Sequence, residues 1–390
     1  MIHFFPRFSK SAEDSPFGQS LRALGIPHRI IATHVPQTYA HRLQLLLMGY
    51  PALAWSALSS AAKSLFGWRR GRQAPPSVAV ISSDVEALVF ALVRAMPFAA
   101  RPRLVFMPFI FTQRVSPSLN RVRLSYYRFV MRRVSRAVCH STLETQRYRN
   151  MFAGCGTDFV FVPWGGHVPA PAEVLANAAP LPPRDGLPRV VSAGRSGRDY
   201  PTLVAAVAAI PCQLTIICNE RAALGGVAAS ERVEVLTNTF HADYFMQLLQ
   251  ADVVVVPLQV EDISAGQMVL IQAMALARPL VVTRTPTVGD YLRDHDTALL
   301  VPRGDASAMA AAIRQLLDNP DAAAAMGRRA QARYAAQFST DAHLRTLVEA
   351  VSTSTDGANR WVERDLMPKR AAVTAAPSPG SSPPTGPAPP

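Results

Sequence analysis

Ala251 to Asp305 reads ADVVVVPLQVEDISAGQMVLIQAMALARPLVVTRTPTVGDYLRDHDTALLVPRGD, alternating short β-branched runs with one helical block and turn-rich loops. Val253 to Val256 is an apolar run closed by Pro257, the composition of a strand buried on both faces of a parallel sheet. A loop follows from Gln259 to Gln267, carrying Glu261, Asp262, Ser264 and Gly266. Met268 to Leu276 has helical propensities, and Arg278-Pro279 breaks it before a second buried strand, Leu280 to Thr283. In such a strand, loop, helix, strand unit, ligands sit at the carboxyl ends of the strands, where a helix N-terminus offers free N–H groups to an anion. The loop from Glu261 to Met268 is therefore the first candidate site.

The rest of the chain repeats the alternation. In the first half, RIIAT (29–33), SVAVIS (77–82), the strand begun by Arg103 to Phe106 and FVFVP (159–163) read as strands. Helical patterns run over Val85 to Met96 and over Leu119 to Val138, where Leu124, Tyr127, Met131, Val134 and Val138 share one side and arginines cluster beside them. STLE (141–144) is a capping-box pattern that opens a further helix. After a Pro- and Ala-rich stretch at 169–188, strands at Arg189 to Ser192, Leu214 to Cys218 and Val233 to Leu236 alternate with helices at Thr202 to Ile210 and Asp243 to Gln250. Ala306 to Leu317 and Ala322 to Phe338 read as closing helices. The expected fold class is α/β, with two doubly wound domains facing each other across a cleft. The expected division is a basic domain at 1–170, a linker at 171–188, a second domain at 189–345, a helical extension at 346–367 and a disordered Pro/Ala-rich tail at 368–390.

The chain has 390 residues and a net charge of +13, all of it in the first half. Residues 1–170 hold 21 Lys+Arg against 6 Asp+Glu, and residues 171–390 hold 19 against 21. A basic half suits a polyanionic partner such as nucleic acid, anionic lipid or a phosphorylated substrate. Leu43 to Ala62 carries no charge and is flanked by Arg42 and by Lys63, Arg69, Arg70 and Arg72. Gly49-Tyr50-Pro51 and several serines interrupt it, so a core helix or a membrane-surface helix fits better than a span. Cys139, Cys155, Cys212 and Cys218 have no metal-ligand or disulfide-framework spacing, which points to buried thiols in a reducing compartment. His3, Pro6, Arg7 and Lys10 break the apolar opening that a secretory signal needs. The expected location is cytoplasmic, with a peripheral seat on the inner face of the cell membrane.

AGRSGRD (193–199) follows a strand and precedes a helix. It lacks the glycine spacing of a dinucleotide fingerprint, but it sets two guanidiniums where diphosphate oxygens could be gripped bidentately. With AGRSGRDYPTLVAAV, ADVVVVPL, GQMVLIQAMALARPLVVT and TVGDYLRDHDTALLVPRGDASAMAAAI in this order, residues 77–340 resemble the family 4, or group 1, retaining glycosyltransferases of GT-B fold. STLETQRY and FVFVPWGGH look like the closing segment of that family's acceptor domain.

The resemblance implies two Rossmann-like domains, a nucleotide-sugar donor bound by the second, and Arg195 and Arg198 holding the donor diphosphate as the catalytic pair. Gly194, Gly266 and Gln267 would line the phosphates. The family's two glutamates fall on Ser264 and Gln272, so neutral side chains stand where one acid would meet the donor sugar and the other the ribose. Glu261 or Asp262 could supply an acid from a shifted loop. No Asp-any-Asp pair is present to hold a metal, so the implied transfer is metal-independent, of hexosyltransferase type and without a cofactor beyond the donor itself. The implied acceptor is lipid-linked or a polysaccharide, and the implied second partner is an anionic membrane surface. Loss of both glutamates motivates an alternative, a non-catalytic GT-B protein that binds a nucleotide sugar or a partner transferase. Two further readings are a sugar-nucleotide epimerase on the same fold, and a nucleic-acid binder, which charge alone suggests and no recognition motif supports. His167 reads as structural and Asp84 as a helix cap.

Overall fold

The structure is a computed structural model that describes residues 1–5, 14–31, 50–66, 76–111, 116–181 and 186–352. Two wholly parallel six-stranded sheets organise it. The first is built from β1 (Ile2–Phe5), β2 (His28–Ile30), β3 (Val78–Ile81), β4 (Arg103–Phe106), β5 (Arg136–Cys139) and β6 (Asp158–Phe161), in the order β2-β1-β3-β4-β5-β6. The second is built from β7 (Arg189–Ala193), β8 (Gln213–Ile217), β9 (Val233–Leu236), β10 (Val253–Val256), β11 (Leu280–Thr283) and β12 (Leu299–Val301), in the order β12-β11-β10-β7-β8-β9. This is the GT-B arrangement of two Rossmann-like domains that the sequence implied.

Helices cover both faces of each sheet, which is why β3, β5, β10 and β11 are buried from end to end. In the first half these are α1 (Pro16–Ala23), α2 (Tyr50–Phe66), α3 (Asp84–Val93), α4 (Pro117–Met131), α5 (Thr142–Met151) and α6 (Pro171–Asn177). The second half contributes α7 (Tyr200–Val207), α8 (His241–Leu249), α9 (Gln267–Ala275), α10 (Pro286–Gly289), α11 (Ala306–Asp318), α12 (Pro320–Gln337) and α13 (Thr340–Ser352). All four cysteines are buried and unpaired with one another. Among the described residues, no helix is long and apolar enough to cross a membrane.

Some elements differ from the sequence reading. The helix expected over 119–138 is α4 and ends at Met131, because Ser116 and Pro117 start it earlier and Arg136 to Cys139 form β5. Val134 and Val138 continue the helical spacing, yet they are buried in the turn and the strand that follow. Ser83 caps α3 by accepting from Glu86 N, and Asp84 is the first helical residue, so Asp84 is not the cap. α6 falls inside the Pro/Ala-rich stretch. The tail at 368–390, residues 353–367 and residues 32–49 lie outside the described residues.

α13 leaves the second half and returns to the first sheet. Its Leu344, Leu347 and Val351 are buried in one apolar cluster with Ile2, Phe4, Leu21 and Val78. Carbonyls at its carboxyl end accept hydrogen bonds from Arg136 (at Ala350) and Arg103 (at Val351 and Ser352). Gly165 lets α13 approach, since a Cβ there would stand 2.4 Å from His343 Cβ and 2.8 Å from the Phe338 carbonyl oxygen.

Candidate active site

In the second sheet the chain runs outward from β7 to β8 and β9, then returns to add β10 on the other side of β7. The carboxyl ends of β7 and β10 therefore flank the point where strand order reverses, the place where open α/β sheets bind ligands. The loops that leave from these two strand ends, 194–199 and 257–266, overlap the stretches singled out in the sequence, 193–199 and 259–267. They are stitched together: Asp199 N donates to the Pro257 carbonyl (3.1 Å), Gln259 N to the Gly197 carbonyl (3.0 Å) and Gln259 Nε2 to the Arg198 carbonyl (2.9 Å).

Arg198 lies at the junction of the two loops. Its side chain folds back over Gly194, where a Cβ would stand 2.4 Å from Nη2, and its Nη1 is 3.6 Å from a Cβ placed on Gly266. Both glycines have positive φ, 105° and 90°, so the conformation and the space alike require them. Arg198 Nε donates to the Ala193 carbonyl (2.8 Å) and Nη1 to the Ser196 carbonyl (2.9 Å). The residue is 4% exposed, and among the described residues no carboxylate pairs with it. Burial pushes its pKa down, while Tyr200, Tyr244 and Cys218 act in the opposite direction. A buried guanidinium without a counter-ion costs several kcal/mol, a deficit that a bound anion would offset.

Gly266 is also the N-cap of α9 and brings no side chain to close the helix start, so the first-turn N–H groups have no capping side chain. Gln267, the first residue of α9, is 7% exposed and its Nε2 has no partner among the described residues. A positive helix end, an orphan amide donor and a buried guanidinium thus occur together at one strand switch.

The remaining sequence candidates are placed differently. Arg195 is exposed and points away to Glu220, 3.7 Å distant, so it does not share the position of Arg198. Gln272 accepts a hydrogen bond from Tyr244 of α8 (2.7 Å). Glu261 pairs with Arg303 (3.1 Å) and Asp262 with Arg147 of α5 (2.7 Å). Ser264 donates from its N (2.9 Å) and its Oγ (2.5 Å) to the carboxylate of Glu144.

Glu144 comes from the first half of the chain, in the first turn of α5. Ser141 caps that helix, its Oγ accepting from Glu144 N (3.0 Å). Two residues earlier, Thr142 donates from N and Oγ1 to the Asp290 carboxylate, both at 2.8 Å. Tyr291 OH donates to the His140 carbonyl (2.7 Å) and accepts from Trp164 N (2.8 Å). Burial raises the pKa of both Glu144 and Asp290, the Ser264 and Thr142 hydrogen bonds oppose it, and the Glu144 charge raises Asp290 further. His140 Nδ1 donates to the Val162 carbonyl (2.8 Å), which leaves Nε2 as the lone-pair nitrogen of a neutral ring; burial lowers its pKa to about 4. Sequence reasoning read STLE as a cap and as part of a segment resembling the end of the acceptor domain, and gave Glu144 no role at the site. The missed signal was its place after β5, where a helix start faces the cleft.

A groove lined by Pro188, Asp252, Arg278 and Pro279 lies at the amino ends of β7, β10 and β11, the wrong end of the sheet for these loops.

Residues 188–319 match the family described as Glycosyl transferases group 1. That match lies within the second half of the chain and supports the group 1 resemblance there. No curated protein matches the chain in sequence. Among solved structures, sucrose-phosphate synthase from Thermosynechococcus elongatus is similar with a TM-score of 0.65 at 18% identity, covering 90% of this chain and 98% of that one. A glycosyltransferase from Rickettsia africae gives 0.61 at 13% identity, covering 90% and 97%. Anabaena HepE, solved in complex with UDP and glucose, gives 0.57 at 17% identity, covering 90% and 99%. These identities speak for the fold.

Proposed function

We propose that this protein transfers a hexosyl group from a nucleotide sugar to a lipid-linked or polysaccharide acceptor, with retention at the anomeric carbon and without a metal. The buried, uncompensated Arg198 at the β7/β10 switch carries the reading. A donor diphosphate lying against Arg198 and the start of α9 would supply the missing negative charge. As the bond to the sugar breaks, charge grows on the leaving diphosphate, and fixed N–H donors stabilise that charge without reorganising. Arg195, exposed at the rim, would close on the outer phosphate by leaving Glu220. Gln272 and Tyr244 form a neutral hydrogen-bonding pair suited to ribose hydroxyls. The match of residues 188–319 to group 1 supports the class, and the UDP bound by Anabaena HepE makes UDP-glucose the first donor to try.

Turnover of a nucleotide-sugar panel tests this. Arg195→Ala, at an exposed position, is expected to leave Tm unchanged and to lower kcat/KM for the donor by roughly tenfold to a hundredfold. Full activity in that variant would contradict the assignment. The engagement of Ser264 and Gln272 by internal partners favours the second reading, a binding protein that does not turn over. Saturable binding with no transfer to any acceptor would select it.

The acceptor side rests on α2, α3 and α4, which pack side by side. They expose Trp55, Leu92, Leu119, Val122 and Phe129, and Lys63, Arg121 and, at the C-cap of α4, Arg132 are exposed as well. Exposed apolar and cationic side chains fit an anionic bilayer surface, cytoplasmic in our reading. The protein is expected to cosediment with phosphatidylglycerol vesicles and not with phosphatidylcholine vesicles, and Val122→Glu to weaken that binding. Equal recovery with both vesicles would remove the membrane from the proposal.

A further inference from the structure

The second domain has no carboxylate at position 264, yet a carboxylate is present there. Glu144 reaches across from α5 and takes both the backbone N–H and the hydroxyl of Ser264, at 2.9 and 2.5 Å. The same helix holds the loop a second time, because Arg147 donates to both the carboxylate and the carbonyl of Asp262 (2.7 and 3.1 Å). Thr142 anchors the helix start to Asp290. One face of α5 therefore fixes residues 262 to 264, and Gly266, where α9 begins, follows two residues later.

We infer that Glu144 is the positioning residue of the donor loop, a latch supplied by the first domain that sets Ser264, and through it the start of α9, for reaction. The inference rests on the donor-site reading of that loop. Glu144 is fully buried against its partners, so it acts through Ser264 and touches no substrate in this arrangement. The loop from 257 to 266 contains no helix or strand, and its backbone entropy must be removed before the α9 N–H groups can meet a diphosphate in one geometry. Two short hydrogen bonds to one carboxylate do this only when the domains are together, which couples loop order to closure. A glutamate at 264 would set two carboxylates against each other in a buried place, whereas serine accommodates the charge from the other side. The carboxylate at this contact belongs to the first domain.

The test uses Glu144→Ala, Glu144→Gln, Ser264→Ala, the double alanine variant and the exchange variant Glu144→Ser/Ser264→Glu in the full chain. Donor turnover is expected to fall at least tenfold in kcat, with a smaller change in donor KM, for either single alanine variant. The double variant should fall no further, since both removals break one contact. Gln keeps an acceptor for Ser264 N and a donor to its Oγ, so Glu144→Gln should recover part of the loss, and the exchange variant should return to within about threefold of the parent. A latch with only a structural role would lower Tm and leave kcat within twofold, which would overturn the inference. Hydrogen exchange at the Ser264 amide gives a readout independent of activity: at least tenfold faster in Glu144→Ala, and unchanged in Arg195→Ala. Unchanged exchange in Glu144→Ala would equally overturn it. A parent with no transfer activity would remove the transferase reading alone, because the exchange contrast still decides the latch.

Discussion

Arg198 and Gly194 show how much of the donor site hangs on single residues. The guanidinium occupies the space in which a Gly194 side chain would sit, and Gly194 has φ 105°, where a Cβ is strained in any case. Gly194→Ala is expected to displace Arg198 from the Ala193 and Ser196 carbonyls, lowering both stability and donor affinity; a variant of parental affinity would show that Arg198 is not held by this contact. The sequence placed Gly194, Arg198, Gly266 and Gln267 at strand ends, and the fold brings them together. It could not show that Arg195 and Arg198 diverge, because residues three apart in a glycine turn share no periodic face. Nor could it show that the acid absent at Ser264 is provided by Glu144, since 120 residues separate the two and only the closed pair of domains joins them.

At the scale of elements, legibility followed burial. Val253 to Val256 and Leu280 to Thr283 were readable as strands because both of their faces are covered. α4 was read seven residues too long at its carboxyl end because the valines of the next turn and strand continue its apolar spacing. α9 seats against α12 through Gly327, where a Cβ would stand 2.1 Å from the Ala277 carbonyl oxygen. That obstacle is backbone, so Gly327→Ala must push the helices apart, and overpacking of this kind costs about 1–3 kcal/mol. Thermal unfolding should show a clear drop in Tm. α13 carries Leu347 into the first domain's core, with no exposed surface. Leu347→Ala is expected to cost about 2–5 kcal/mol although the residue lies at the far end of the described chain. An unchanged denaturant midpoint would mean that this helix is not part of that core.

For the whole molecule, buried histidines, His3 and His140 among them, and the buried carboxylates Glu144 and Asp290 set opposite pH responses. His3 and His140 are lowered to about 4 by burial, so the unfolded chain takes up protons that the folded chain refuses. The stability they contribute is fully present above pH about 6.5 and is lost as the pH falls toward 4, at up to about 1.4 kcal/mol per pH unit for each histidine. His140→Asn should flatten that part of the stability profile, and an unchanged slope would contradict the assignment. Glu144 and Asp290 are raised, so their contribution is present below the ordinary carboxylate range and lost as the pH rises through their elevated values. The two trends bear on different parts of the fold, His3 and His140 on the first domain and the carboxylates on the contact between the domains. That contact bears on catalysis only if the second domain holds a donor, and calorimetric titration of the parent and of Arg198→Lys with UDP-glucose and a panel of other nucleotide sugars decides it. The expected result is saturable binding of at least one nucleotide sugar that weakens tenfold or more when lysine replaces the buried guanidinium; no binding by any of the panel, or equal binding by the two proteins, would contradict a diphosphate site at Arg198.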